Sequence, residues 1–404
     1  MKILHTSDWH LNSTLRHRKR NEDLDRSLAQ IKDYLDQYNI DVMIVSGDLF
    51  RERSRPEQAQ TGIHMIREHF LPFVQRGGTI LAISGNHDSE VFFTTLHEAL
   101  DLVSPVYPTH DGLHTPGRLY IASDPSLIKL ADRTGEIVQF VLMPYPSVRY
   151  LRGSSLEFTS PEQRNQAIAN HFRNILHRLQ NRLDVHYPSI LVSHIHVRGM
   201  ETNAQYRLSD RDEVTLEQSD LLSSWSYVAL GHIHSPQEAI PGRTHMRYAG
   251  SIECMDYGEK EDRKSVVLLE MKERQVGSLE LLELQSTPFE EVEITDPETE
   301  IPLLAEKYPQ AQQSLIRYIL HYDSSVHDRE RLCRQIEEVF PRWYDRIVKD
   351  KRTGESTEAS LSFGQTRDIV GTTRQYLQAQ LENHPDREAL LQLANQLFLE
   401  EELV

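Results

Sequence analysis

Cysteine is almost absent: the chain of 404 residues has two, Cys254 and Cys333. Two cysteines give neither a disulfide framework nor a thiolate metal site, and a reducing cytoplasm is the compartment this usage predicts. Long apolar runs are also missing. No stretch approaches the roughly 18 residues of a membrane span, and the N-terminus, MKILHTSDWH, enters a polar motif with no signal-peptide pattern. Positive charge is in deficit: 44 Lys and Arg against 61 Asp and Glu leave a formal net charge of −17. Phosphate contacts need Lys and Arg, so this balance argues against a DNA-coating protein. It does not argue against an enzyme whose metal ions meet the phosphate. There is no GxxxxGK followed by Ser or Thr, so ATP hydrolysis by this chain alone is not expected. Internal repeats and low-complexity tracts are absent too.

What is present reads as soluble and globular, with 38% apolar and 26% charged residues and a length that suits two or three domains. Five short apolar runs each end in polar residues: KILHTSDWH at 2–10, VMIVSGD at 42–48, TILAISGNHD at 79–88, SILVSHIH at 189–196 and YVALGHIH at 227–234. Continuous Val/Ile/Leu runs of this length suit buried strands. Helix-like stretches separate the first three, such as 22–38 with Leu24, Leu28, Ile31 and Leu35 at helical spacing. The alternation predicts an α/β layered fold, in which function sits at the carboxyl ends of strands. Hairpin-like strands follow at 263–284. The Pro- and acid-rich stretch STPFEEVEITDPETEIP then places a domain boundary near 285. A small α+β unit comes next, with strands at 314–322 and 344–350 around a helix at 329–340, then a polar linker at 351–371. A tail carries Leu390, Leu393, Ala394 and Leu397 on one helical face.

The strand ends hold the chemistry. Asp8 and His10, two apart in extended chain, share a face. Gly47 permits the turn that presents Asp48, and Asn86 offers an amide oxygen beside His87. His194 ends another strand, and His232 and His234 repeat the i, i+2 geometry. Mixed imidazole and carboxylate donors suit manganese, iron or zinc better than magnesium or calcium. Seven ligands serve two divalent ions if one carboxylate bridges, and Asp48 is the best bridge. Two such ions clamp a phosphorus centre for in-line attack. Any one of these pieces alone is an ordinary structural feature; their combination, each at a strand end, is specific.

The order D-x-H, GD, GNHD, H, GHxH resembles the calcineurin-like metallophosphoesterases. More narrowly, SDWHL at 7–11, GDLF at 47–50 with RP at 55–56, GNHD at 85–88, ALGHIH at 229–234 and YAGSIECMDYGEK at 248–260 are similar to the nuclease subunits of SbcCD-type exonucleases. The likeness of motifs covers about residues 1–285; beyond that it is one of layout only. The resemblance implies a metallophosphoesterase β-sandwich flanked by helices (1–285), a small α+β capping domain (286–350), the linker (351–371) and a C-terminal partner-binding helical segment (372–404). It implies one metal on Asp8, His10, Asp48 and His234, and another on Asp48, Asn86, His194 and His232, with manganese first and iron or zinc as alternatives. His87 would contact the scissile phosphate and assist the leaving oxygen, with Asp88 orienting its imidazole. The implied activity is DNA exo- and endonuclease action in a double-strand-break repair complex. The implied partners are DNA and an SbcC-like coiled-coil ATPase subunit, with two copies of this chain in a heterotetramer.

The sequence departs from that family's pattern in places. Asn12 stands where glycine is usual, and Arg51 where an acid often follows GDLF. SHIHVRG offers two histidines: the family's spacing to the glycine selects His194, and His196 remains a rival. Basic residues follow two ligand motifs: Arg16, Arg18, Lys19 and Arg20 after the first, Arg51, Arg53 and Arg55 after the second. They are candidates for DNA-backbone contact, with a solvated loop as the bland alternative. Trp9 is expected to pack beneath the metals. The tail from 371 has two Arg against six acidic residues, a net of −4, which suits a basic protein surface better than DNA. Its alternative role is a helix docked on its own chain. Within the same metal chemistry the rival function is a stand-alone phosphatase or cyclic-nucleotide phosphodiesterase. Outside it, the rival is a metal-degenerate scaffold.

Overall fold

The computed structural model describes residues 1–51, 56–103, 108–110, 112–151, 158–200, 213–273, 275–353 and 356–358, and in the tail residues 387, 390, 391 and 393. The first strands alternate with helices as the apolar spacing predicts: β1 (Lys2–Thr6), α1 (Asn21–Gln37), β2 (Val42–Val45), α2 (Pro56–Gln75), β3 (Thr79–Ile83), α3 (Glu90–Val103) and β4 (Leu119–Ala122). The chain then builds a second sheet from β5 (Ser126–Ala131), β6 (Ile137–Met143), α4 (Pro161–Gln180), β7 (Ser189–His194), β8 (Tyr227–Gly231), β9 (Gln237–Glu238) and β10 (Met246–Tyr248). It returns to the first sheet with the hairpin β11 (Ser265–Lys272) and β12 (Gln275–Glu283). The strand orders are β12-β11-β1-β2-β3-β4 and β9-β10-β8-β7-β6-β5. Strands β1 to β4 run parallel, and so do β6, β7, β8 and β10.

Why the strand runs are continuously apolar is visible in the packing. Ile3, Val42, Ile44, Leu81 and Ile83 of the first sheet meet Phe140, Leu142, Ile190, Val192 and Ala229 of the second in one buried core. The alternate residues Leu4, Met43, Val45, Ile80 and Ala82 face outward onto Leu24, Leu28, Ile31, Leu35 and Phe70 of α1 and α2. On the far side Val141, Leu191, Val228 and Leu230 pack on Ile168, Phe172 and Leu176 of α4. Both faces of both sheets are therefore covered, as parallel sheets require, and the layers run helix, sheet, sheet, helix. Among the described residues, no helix is long and apolar enough to cross a membrane.

Residues beyond 285 form a third sheet, ordered β13 (Phe289–Ile294), β14 (Leu315–Tyr322), β15 (Trp343–Asp350) and β16 (Ser356–Glu358), with α5 (Arg329–Val339) on one face. Its core of Val292, Ile294, Ile316, Tyr318, Leu320, Leu332, Ile336 and Phe340 is its own. The acid-rich stretch after 285 contains β13, an edge strand without a signal in the sequence, whose Phe289, Val292 and Ile294 are buried while Glu291 and Glu293 face out. Residues 356–358, assigned to the linker 351–371, instead pair antiparallel with β15 on its free edge. The remainder of that linker beyond 358 lies outside the described residues.

The small unit is fastened by the loop that follows the first ligand motif. Arg20 is buried and donates from Nε to Asp23 at 2.6 Å and from Nη1 to the Cys254 carbonyl at 2.8 Å. Asp23 also accepts from Arg26 at 2.6 Å, and from Arg342 of the small unit at 2.7 and 2.6 Å. Phe289, Leu315 and Tyr344 pack with Cys254 and Leu15 beside it. Burial would raise the Asp23 pKa, but the guanidinium groups of Arg20 and Arg342 hold it down, to about 2. A carboxyl whose folded pKa lies below its unfolded value stabilises the fold fully above about pH 4, and loses that contribution as pH falls towards 2. Asp23→Ala removes the buried carboxylate that Arg20 and Arg342 share and is expected to cost about 3 kcal/mol, with a shallower acid limb in melts run between pH 2 and 6. A variant melting like the wild type at neutral pH would show that this cluster does not fasten the unit.

Candidate metal centre

The two sheets bring the polar ends of β1, β2, β3, β7 and β8 to one edge. The loops after β1 and β2 are laced by backbone bonds: Asp8 N–H to the Gly47 carbonyl at 3.1 Å, His10 N–H to Asp48 O at 2.9 Å and Leu11 N–H to Leu49 O at 2.9 Å. Register neighbours Gly231 and His194 join the ends of β8 and β7. The ligand-bearing backbone is unusual. Asp8, His10 and Asp48 have φ of 51°, 45° and 52°, and His232 has 99°, a region L-residues rarely adopt and in which Asp, Asn and His are enriched. Asn12, at φ 68°, occupies the same region, which is why asparagine serves where the resembled family has glycine.

Three glycines make room. A Cβ on Gly47 would overlap the His194 ring, one on Gly85 the Asp48 carboxylate, and one on Gly231 the Ser46 carbonyl and the Ser7 hydroxyl. Into that space the donors converge. His10 Nε2 lies 3.0 Å from His234 Nε2 and 3.7 Å from Asp48 Oδ2. His194 Nε2 lies 3.4 Å from Asp48 Oδ2 and 2.9 Å from Asn86 Oδ1, and His232 Nδ1 lies 3.0 Å from that same amide oxygen. Asp8 groups with His10 and His234, and also with Asp48 and His194, each set having its donor atoms within 4.8 Å of one another. All seven residues singled out as ligands are thus brought together, with Asp48 between the His10 and His194 sides. Nitrogen and oxygen donors facing each other at these separations fit divalent cations of the manganese, iron or zinc kind.

Buried props set the imidazoles. His194 Nδ1 faces the Ser46 carbonyl at 2.8 Å, and His234 Nδ1 faces Glu259 at 2.7 Å. Glu259 is in turn bonded by the buried Lys264 ammonium at 2.6 Å. Burial keeps His10 neutral, its pKa pushed down to about 4. Burial also opposes protonation of His194 and His234, but Asp48 beside the first and Glu259 beside the second raise both, to about 9. The site therefore favours positive charge, whether carried by those protons or by a cation that displaces them.

The other expected site residues divide. The His87 ring sits edge-on to His10, centroids 5.1 Å apart, and its backbone N–H donates to Asp48 Oδ1 at 2.9 Å. The Asp88 carboxylate accepts three backbone N–H groups, from Leu49 at 3.2 Å, Phe50 at 2.9 Å and Gly85 at 2.8 Å; it ties the second ligand loop to the third. Arg16 and Arg18, expected on a DNA path, meet the small unit in this structure. Arg16 pairs with Asp345 at 3.3 Å, and Arg18 donates to the Trp343 carbonyl at 2.7 Å. Arg51 is exposed and bonds Thr14; Arg53 and Arg55 lie outside the described residues. Trp9 is buried, stacked on Phe70, with its indole N–H on Thr6 at 3.0 Å. His196, the rival ligand, points to Glu213 at 2.6 Å, and Glu213 reaches His232 Nε2 at 2.8 Å. Glu213 belongs to no motif and had no signal in the sequence. Glu259 lay in the YGEK block without an assigned role. Tyr145, whose ring stacks on His232 at 6.1 Å, was also missed.

A layered α/β sandwich with this donor set defines a metallophosphoesterase. The sequence profile of the calcineurin-like phosphoesterases matches residues 1–236, and the chain belongs to that family. Among curated proteins it is similar to the D component of the SbcCD nuclease of Bacillus subtilis strain 168, 29% identical over 279 residues, which is 67% of this chain and 66% of the relative. The proteins of the same name from Staphylococcus epidermidis (25% identical, 73% of this chain and 72% of the relative) and Escherichia coli K12 (26%, 71% and 69%) are comparably similar. The chain thus spans just under two thirds of the Bacillus relative. Among solved structures, TT1561 of Thermus thermophilus aligns at TM-score 0.40 with 15% identity, over 70% of this chain and 99% of that one. A dimetal phosphatase from Danio rerio aligns at TM-score 0.40 with 10% identity, over 70% and 98%.

Gly231→Ala tests the crowding directly. The added methyl meets a backbone carbonyl that cannot swing aside, so about 1–3 kcal/mol of stability should be lost together with metal uptake, read by thermal melting and elemental analysis. Unchanged melting and metal content would show that the sheet ends are looser than described.

Proposed function

We propose that this chain is a metal-dependent DNA exo- and endonuclease, acting in the cytoplasm as the nuclease subunit of a double-strand-break repair complex. The observation that supports it most is the convergence of Asp8, His10, Asp48, Asn86, His194, His232 and His234, with His87 at their edge. The similarity to nuclease subunits supports the choice of DNA over a small ester. Held by Asp8, His10, Asp48 and His234 on one side and Asp48, Asn86, His194 and His232 on the other, two divalent ions, manganese first, would supply Lewis-acid stabilisation of the phosphate and an activated water. The chain's own residues do the rest. Asp48 accepts from the His87 backbone N–H, and the His87 ring, edge-on to His10, would contact the phosphate and hand a proton to the leaving oxygen. Asp88 holds the two loops in register. Arg51, with Arg53 and Arg55, is proposed to meet the DNA backbone. Incubating the protein with manganese and either labelled duplex DNA or p-nitrophenyl phosphate esters separates the readings: manganese-dependent DNA cleavage is expected, and ester hydrolysis without DNA cleavage would overturn the proposal. His87→Ala should retain two ions by elemental analysis while cleavage falls about 10²–10⁴-fold or more; loss of metal would make His87 a ligand.

The division into nuclease domain (1–285), capping domain (286–350), linker and partner-binding tail (372–404) belongs to the same proposal. In the tail, Leu390 and Leu393 are helical, 37% and 53% exposed, which supports an apolar stripe offered to a partner; Ala394 and Leu397 lie outside the described residues. The proposed partner is an SbcC-like coiled-coil ATPase, with two copies of this chain in the heterotetramer, and the tail laid in a groove by its i, i+3, i+4 anchors. Deleting residues after 372 should leave metal-dependent cleavage of single-stranded or small substrates intact, and abolish co-purification with the ATPase and ATP-stimulated duplex cleavage. A truncated chain that still joins the complex at unchanged affinity would refute the assignment.

A further inference from the structure

The three imidazoles at the ends of β7 and β8 each turn one nitrogen into the donor cluster and the other onto a protein acceptor. For His194 the acceptor is the Ser46 carbonyl, and for His234 it is Glu259. For His232 the acceptor is Glu213: Nε2 lies 2.8 Å from Glu213 Oε2, while Nδ1 lies 3.0 Å from Asn86 Oδ1. A neutral imidazole has one donor and one acceptor nitrogen. The nitrogen facing a carboxylate carries the proton, so the lone pair on Nδ1 is turned to the donor cluster. The ring needs such a hold. His232 has φ 99°, and Tyr145 stacked on its face at 28° limits tilt but not a flip about the ring axis.

Glu213 is itself enclosed. Its side chain is 6% exposed, and its other oxygen lies 2.6 Å from His196 Nδ1, whose side chain is 11% exposed. Glu259 is likewise placed between His234 and a second basic side chain, the Lys264 ammonium. The two halves of the centre are therefore alike in layout, each with a carboxylate between one histidine of the GHIH pair and a second basic side chain. His196 meets His232 through Glu213, and the donor atoms of these three residues also lie within 4.8 Å of one another, beside the set that contains His194.

We propose that Glu213 is a positioning residue for the half of the centre formed by Asp48, Asn86, His194 and His232, fixing the His232 tautomer and ring orientation with His196 as its anchor. This rests on the two-ion reading above. Outer partners of metal-ligating histidines typically change affinity 10–100-fold. The test is titration of chelator-stripped protein with Mn²⁺ by calorimetry, with bound metal counted by mass spectrometry and melting followed for each variant. Wild type is expected to bind two ions. Glu213→Ala should bind one ion as wild type does and the other about 10–100-fold more weakly, with its melting temperature close to wild type. Glu213→Gln, whose amide oxygen still accepts from Nε2–H, should recover most of the loss. Fewer than two ions on wild type would fail the two-ion reading and this inference with it. Two ions on wild type with an unchanged Glu213→Ala isotherm would overturn this inference alone. So would equal weakening of both ions in Glu213→Ala and Glu213→Gln. Three ions on wild type, with one lost on Glu213→Ala, would make Glu213 a ligand rather than a prop and overturn it too.

Discussion

The constraint on which the structure depends is crowding at the joined ends of two sheets. Seven donor side chains must reach one small volume from five strand ends, and they do so only because Gly47, Gly85 and Gly231 present no side chain there. The backbone that aims the donors is held in the left-handed region at Asp8, His10, Asp48 and His232, at about 1–3 kcal/mol each. Conformations of that cost persist only where the surroundings over-determine them. Here the surroundings are the lacing of the β1 and β2 loops, the three N–H groups gathered by Asp88, and the two covered sheets behind. The strain is local and the support is global, so the fold and the site cannot be varied independently.

The same loop serves two masters. Residues leaving the Asp8-His10 motif turn through Asn12 and Arg16, both at positive φ, and end in the buried Arg20. Along that short path they fasten the small unit through Asp345, Trp343, Asp23 and Arg342. A chain with a net charge of −17 has few cations to place, and this one uses several of them inside the molecule rather than on its face. The link gives the small unit a direct mechanical connection to two of the metal-donor candidates.

That the seven candidate donors would gather was legible in the sequence because each closes an apolar run, and because Asp, Asn and His are the residues that tolerate the backbone those turns require. The layered fold followed from the same runs. What was not legible depends on contacts across the chain. A basic cluster beside a ligand motif looks the same whether it faces phosphate or protein, so the contacts of Arg16 and Arg18 to Asp345 and Trp343 had no signal in the sequence. The strand Phe289–Ile294 was hidden by its outward glutamates, an ordinary composition for an exposed sheet edge. Glu213 acts on a histidine nineteen positions further along the chain, and no spacing rule connects the two.

The lacing of this centre also sets an order of assembly during synthesis. Its first donors are at Asp8 and His10, its last at His234, and the Glu259–Lys264 pair that steadies His234 comes later still. Domains generally form as units while the chain emerges, yet this one cannot close until the strand Ser265–Lys272 has left the ribosome. Strand β11, which seats beside β1, is drawn from that same late segment. Until then the loops that carry the candidate donors lack the strand that seats beside β1 and the Glu259–Lys264 pair behind His234. The cations present in the surrounding solution when β11 arrives are therefore the ones the finished centre first meets.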